Sequence, residues 1–159
     1  DFLLTKPVTR TGVLTSKLLA ALISILITNV FYLIASSLVV NQIKTGDFSF
    51  KLFIMLSLSL LLIQLIFLAI GIILSVLVPK IKSVLTVTLG TVFGFYFIGM
   101  FGTGDDVKRY LSPFKYFETT YIMENSSYET SFLMAGAVIF ILAITVSYFV
   151  YTKKDIHSV

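Results

Sequence analysis

The chain has no cysteine and one histidine, His157, in 159 residues. Without cysteine there can be no disulfide, no zinc–thiolate site and no thiol nucleophile. One histidine is too few for a histidine-based metal site or a catalytic triad. Charge is also scarce, because Lys, Arg, Asp and Glu together make up 13% of the residues, about half of the roughly 25% in a soluble domain. These shortages argue against a soluble globular fold.

What the chain does have is long apolar stretches. Hydrophobic residues make up 57% of the sequence, and the mean hydropathy is +1.00. Four stretches contain no charged residue, and the shortest has 22 residues: 18–43, 52–79, 83–104 and 130–152. A helix needs about 20 apolar residues to cross a bilayer, and these runs lack the alternation of barrel strands. The sequence predicts a single all-α domain, a polytopic membrane helix bundle with transmembrane helices over 18–41, 52–78, 84–103 and 130–152.

The positions of the charges predict topology and exclude several functions. No Asp, Glu, Lys, Arg or His lies inside the spans, whereas proton-coupled carriers and intramembrane hydrolases usually place such groups there. We therefore predict no catalytic residue, no metal site and no enzyme activity. The basic residues flank the spans, which is typical of topology determinants and not of a nucleic-acid surface. The side that holds both termini carries seven Lys and Arg against five on the other. This bias predicts a multi-pass protein of the plasma membrane with cytoplasmic termini.

Small and polar residues follow one face of each span. The third span has the pair Gly90 and Gly94, and the fourth aligns Gly136, Ala143 and Ser147. Such faces are typical of helix packing, but a polar lining of a translocation path is the alternative. The candidate lining residues are Ser24, Thr28, Asn29, Tyr32 and Gln64. The amides of Asn29 and Gln64 each need a hydrogen-bonding partner in the membrane, which another helix or a substrate could provide.

Residues 104–129 form the longest segment outside the spans. Ser112 followed by Pro113 is typical of a helix start, and Phe114, Phe117 and Tyr121 then share one helical face. Aromatic residues at this density are typical of a membrane–water interface. We expect a short interfacial helix near 113–123 on the extracellular surface.

Three short segments are notable for their order and spacing. Residues 3–10 read Leu-Leu-Thr-Lys-Pro-Val-Thr-Arg and are followed by Ser16-Lys17. Residues 111–117 read Leu-Ser-Pro-Phe-Lys-Tyr-Phe, and residues 151–156 read Tyr-Thr-Lys-Lys-Asp-Ile. In order and spacing they resemble segments of type-2 ABC transporter permeases, which lie in that family before the third membrane helix on the cytoplasmic side, outside before the last helix, and at the C-terminal end.

The resemblance implies that the chain corresponds to the last four of six membrane helices, with two helices preceding Asp1. It implies an ATP-driven transporter, most simply an exporter, whose permease binds no cofactor itself. ATP and Mg²⁺ would be held by a separate ABC ATPase subunit, since the sequence has no phosphate-binding G-x-x-x-x-G-K-[ST] loop. A second permease copy or a homologue would complete the path. The segment 1–17 would couple to the ATPase through five residues: Leu4, Thr5, Lys6, Pro7 and Arg10.

A small four-helix channel, or a holin-like or immunity-type membrane protein without an ATPase partner, is the alternative. Composition and small-residue faces fit it equally well, but it does not account for the segment around Pro7 and Arg10 or for the aromatic outer loop. A neighbouring gene for an ABC ATPase would discriminate between the two. The sequence predicts no particular substrate.

Overall fold

The computed structural model of the chain describes residues 9–43, 46, 49–78, 80, 82–101 and 104–153. Within these ranges there is no strand, and four helices are long and apolar enough to cross a membrane. This confirms the predicted all-α membrane bundle. The elements in chain order are α1 (Arg10–Ile43), α2 (Phe50–Leu77), α3 (Val84–Phe101), α4 (Asp106–Arg109), a 3₁₀ turn (Pro113–Lys115), α5 (Thr119–Asn125) and α6 (Thr130–Lys153).

Short polar side chains begin four of these helices, and for α3 it is Ser83, which accepts from the amide of Thr86 at 3.3 Å. The first amide groups of a helix have no partner within it, and a hydroxyl or carboxylate just before the helix accepts from one of them. Thr9 accepts from the amide of Gly12 at 3.1 Å, Ser49 from Leu52 at 3.4 Å and Asp105 from Val107 at 3.1 Å. The Thr9 cap means that α1 is already helical from Arg10, so the second half of the predicted coupling segment is continuous with the first span.

The α2–α6 pair is the centre of the bundle. These two helices pack together more extensively than any other pair, and α1 lies against both of them. Gly136 allows the close approach, because a Cβ at this position would lie 2.9 Å from Cδ1 of Ile66. Gly136, Ala143 and Ser147 are all buried, as the packing interpretation of the fourth span predicts.

Helix α3 stands apart from this pair. The short connection after α2 suggests two closely packed antiparallel neighbours, but a cleft separates much of α3 from α2. Gly90 and Gly94 are exposed, and a Cβ built on either would meet nothing within 4 Å. The expectation that this glycine pair packs against a helix is therefore not met by any of the described residues.

The segment between α3 and α6 differs from the prediction of a single surface helix near 113–123. It forms a 3₁₀ turn and then α5, with an extended backbone at Glu118 between them. Tyr116 and Phe117, just before this break, are 1% and 7% exposed and join the hydrophobic core with Ile66 and Phe132. Because these two rings turn inward, the chain leaves the helical path. We call residues 104–129 the cap, since they cover one end of the bundle.

Candidate functional site

The start of α1 is joined to the end of α6 by two hydrogen bonds. Nη1 of Arg10 donates to the backbone carbonyl of Tyr151 at 3.3 Å, and the hydroxyls of Thr15 and Tyr148 lie 2.7 Å apart. The last four carbonyls of a helix have no partner within it, and a cation there also interacts favourably with the helix dipole. Arg10 therefore stabilises the end of α6 as well as linking it to α1. We call this contact the α1–α6 clasp.

The clasp contains one of the five residues predicted to couple the permease to an ATPase. Arg10 is half-buried in it. Leu4, Thr5, Lys6 and Pro7 lie outside the described residues. The part of the chain that the structure describes begins at Thr9, immediately before α1.

Three of the predicted path residues form an exposed stripe on α1. Ser24, Thr28 and Tyr32 follow one another at intervals of four residues, and all three are exposed. The hydroxyl of Ser24 donates to the carbonyl of Ala20 at 2.9 Å, and that of Thr28 donates to Ser24 at 2.8 Å. Hydroxyls bonded in this way can face a membrane or a second helix without leaving an unsatisfied donor.

The other two predicted path residues bond to each other. Nδ2 of Asn29 donates to Oε1 of Gln64 at 2.6 Å, linking α1 to α2, and it also donates to the carbonyl of Ile25 at 2.8 Å. Asn29 is 7% exposed. The structure thus brings together the two amides that the sequence marks as needing partners, and places the three hydroxyl residues on the surface beside them.

The cap holds an ionic cluster that sequence reasoning missed. Arg109 bonds Glu129 through both terminal nitrogens, at 2.9 and 3.3 Å, and its Nε lies 3.6 Å from a carboxylate oxygen of Glu118. The guanidinium also donates to the carbonyl of Lys115 at 3.2 Å and lies 4.0 Å from the centroid of the Phe132 ring. With only 12% of its side chain exposed, Arg109 joins the start of the cap to the start of α6.

Hydroxyl groups attach the rest of the cap to the long helices. Ser112, fully buried, donates to the carbonyl of Phe95 in α3 at 2.7 Å. Tyr128 donates to the carbonyl of Met55 in α2 at 2.6 Å, and Tyr116 donates within the cap to Tyr110 at 2.6 Å. Burial raises the pKa of Tyr128, and burial, followed by the electrostatic interaction with Tyr110, raises the pKa of Tyr116. Both phenols therefore remain neutral donors.

One signal in the sequence could have revealed the cap. The spacing of the Ser-Pro-Phe-x-Tyr-Phe segment predicts an aromatic surface at the membrane interface. The ring of Phe114 lies instead 4.9 Å from that of Phe67 in α2 and 5.9 Å from that of Tyr96 in α3. The signal lies in Ser112, Tyr116 and Arg109, because their polar groups require hydrogen-bonding partners when they are buried.

Comparisons with known proteins place the chain in a family. The family model described as "Multidrug efflux system permease Rv1217c, C-terminal domain" matches residues 1–149. No curated protein and no solved structure matches the chain. The family match covers nearly the whole chain and confirms the resemblance to the C-terminal part of a permease. The chain belongs to the family of the C-terminal domain of the multidrug efflux system permease Rv1217c.

Proposed function

We propose that the chain is part of the membrane subunit of an ATP-driven ABC exporter and that a separate ATPase subunit, holding ATP and Mg²⁺, drives it. Membership of a multidrug efflux permease family supports transport across the membrane. The α1–α6 clasp is the observation that carries the coupling part of the proposal. It provides a physical connection between the N-terminal segment and two membrane helices at once.

The length of α1 supports the same assignment. Its 34 residues correspond to about 50 Å of helix, against a hydrocarbon core of about 30 Å. The stretch from Arg10 to Lys17 can therefore extend beyond the membrane by about 10 Å without a break in the helix. A force that an ATPase exerts on Lys6 and Arg10 from the cytoplasmic side would be transmitted along the continuous helix α1.

The translocation path is proposed to lie along the exposed stripe of α1. Ser24, Thr28 and Tyr32 present hydroxyls at one-turn intervals on a surface that a second permease copy or a homologue could face. The absence of charge in this stripe favours apolar or amphipathic cargo. The hydrogen bond between Asn29 and Gln64 would hold α1 against α2 and so fix the orientation of the stripe.

Charge reversal in the coupling segment tests the proposal. The full-length permease is produced with the ABC ATPase encoded beside it, and the assembly and the ATPase activity of the complex are measured. We expect Lys6→Glu/Arg10→Glu to lower both at least tenfold. The matched control is Lys51→Glu/Lys108→Glu, which makes the same change of charge at two exposed residues on the predicted outer side. Equal assembly and activity in the two double variants would show that the coupling assignment is wrong.

The direction of transport needs a separate measurement. In inside-out vesicles an exporter accumulates an amphipathic fluorescent dye when ATP is added. Accumulation only in right-side-out vesicles with internal ATP would indicate import. A dye flux that does not depend on ATP would support the small-channel alternative instead.

A further inference from the structure

The cleft between α2 and α3 lies at the end of both helices that is joined by residues 78–83. It provides about 600 Å³ of atom-free space, counted to its open side. Its walls are mostly apolar, and two of the three hydroxyls in its lining are bonded within their own helices, Ser75 to the carbonyl of Ile72 at 2.7 Å and Thr91 to that of Val87 at 2.8 Å. Thr88 has the remaining hydroxyl, so the cleft offers little that would favour water over hydrocarbon.

The far end of the cleft is closed by aromatic rings. Phe67 lies edge-on to Phe95 with centroids 5.8 Å apart and also contacts Phe114 at 4.9 Å. From Phe67 to Ser75 the cleft is about 12 Å deep, which is close to the roughly 15 Å thickness of the hydrocarbon in one leaflet. The depth thus suits a chain that enters from one membrane surface and ends near the middle of the bilayer.

The connection that adjoins this end of the cleft is positively charged. Lys80 and Lys82 are both exposed in the connection between the two helices, and no acidic residue occurs between Val78 and Ser83. Basic residues at a membrane surface attract anionic headgroups. An anionic phospholipid is complementary to this combination of apolar walls, a depth near that of one leaflet and two lysines in the adjoining connection.

We propose that the cleft binds one acyl chain of an anionic phospholipid from the leaflet that Lys80 and Lys82 face, with the lipid phosphate at these lysines. An unfilled cleft would leave its lining without the dispersion contacts that a packed interior has. A helix about 10 Å in diameter would need on the order of 900 Å³ over the same depth, more than the cleft provides. A helix packed on this face would cover the cleft, whereas the narrower acyl chain can lie within it.

Photo-crosslinking to the full-length permease in vesicles tests the site. The probes are phosphatidylglycerol and phosphatidylcholine with the same diazirine midway along one acyl chain. We expect phosphatidylglycerol adducts on peptides that contain Gly71 and Thr88, at least fivefold above the phosphatidylcholine adducts. Lys80→Gln/Lys82→Gln should abolish this preference, because one lysine near the surface is worth about fivefold in binding. The control Lys51→Gln/Lys108→Gln removes two other exposed lysines and should preserve it.

A second pair of variants tests the cleft itself. Gly71→Leu adds a side chain inside the cleft, where a Cβ meets nothing within 4 Å, and should remove the adducts. Gly90→Leu adds the same side chain at an exposed glycine outside the lining and should not. The proposal is overturned if both lipids label equally, if cleft adducts are no more abundant than those on the exposed Phe97, or if a covering helix leaves the cleft unlabelled.

Discussion

Asn29 and Gln64 share a hydrogen bond of 2.6 Å between their side-chain amides, and this bond joins α1 to α2 within the membrane spans. The bilayer core provides no water to replace a missing partner. Each amide therefore satisfies the hydrogen-bonding requirement of the other, and the pair stabilises one particular rotation of α1 against α2. This relationship changes what the two residues are expected to do, because a path lining and a helix link respond differently to substitution.

A double-mutant cycle should detect the helix link. Asn29→Leu and Gln64→Leu should each destabilise the full-length permease by about 1 kcal/mol, as measured by unfolding in mixed micelles. The double variant should be less destabilised than the sum of the two, because neither amide is then left without a partner. If transport falls in the double variant while stability recovers, the amides contact substrate and the link is secondary.

The amide pair also shows which features of the structure can be predicted from the sequence. Charge-free stretches predict four spans because burying a charge in lipid is costly, and this constraint acts on each helix separately. The need of Asn29 for a partner follows from the same reasoning. Which residue supplies that partner does not, since the rotation and register of α1 on α2 depend on packing between distant parts of the chain.

The cap and α3 show which features of the fold could not be predicted from the sequence. Phe114 and Phe117 have the spacing of an amphipathic helix whether that helix lies on a membrane or inserts into a bundle, so periodicity could not distinguish the two. The inward positions of Tyr116 and Phe117 depend on Ile66 and Phe132, which are far away in sequence. Gly90 and Gly94 form a small-residue pair, but whether a helix faces them depends on the placement of α3.

A methyl group at Gly99 should disturb the contact between α3 and the cap. A Cβ there would lie 2.9 Å from Oγ of Ser112, which is fully buried and bonded to Phe95. We expect Gly99→Ala to lower stability by about 1–2 kcal/mol because the serine must move. Gly94→Ala in the same helix meets nothing within 4 Å and serves as the control. Thermal unfolding of the two variants compares them, and equal melting temperatures would contradict the close approach.

Loss of the Arg109 cation should loosen the cap. Arg109→Met leaves Glu129, with 17% of its side chain exposed, without its bidentate partner, at an expected cost of about 2 kcal/mol, below the 3–5 kcal/mol of a fully buried pair. Arg109→Lys keeps the charge but not the fork geometry and should be intermediate. Limited proteolysis within residues 104–129 is the measurement. Lys108→Met, at the exposed neighbouring residue, should leave the cleavage rate unchanged.

Alkaline pH should destabilise the cap through its buried tyrosines. Burial raises the folded-state pKa of Tyr116 and Tyr128 above the ordinary value of 10.0. Their contribution to stability is therefore complete below pH 10 and is lost as the pH rises through the folded-state values. We expect a flat stability profile up to about pH 10 and a decline above it. Tyr116→Phe should cost about 1 kcal/mol at neutral pH but show a shallower decline; an equally steep decline would exclude Tyr116 as a source.

The α1–α6 clasp should matter more for transport than for ATP hydrolysis, if the proposed coupling is correct. Thr15→Val and Tyr148→Phe each remove the 2.7 Å hydrogen bond between the two helices, at a cost of about 1 kcal/mol. We expect each to lower the ratio of molecules transported to ATP hydrolysed severalfold, because motion of the N-terminal segment then reaches α6 less directly.

The double variant Thr15→Val/Tyr148→Phe should have the same ratio as either single variant, since all three lack one and the same bond. Thr152→Val is the matched control, because the Thr152 hydroxyl is exposed and donates to carbonyls of its own helix, Tyr148 at 2.8 Å and Phe149 at 3.2 Å. The ratio is measured in vesicles that contain the permease and its ATPase. A wild-type ratio in the clasp variants would mean that α6 receives its motion from elsewhere, and that α1 acts on the path without it.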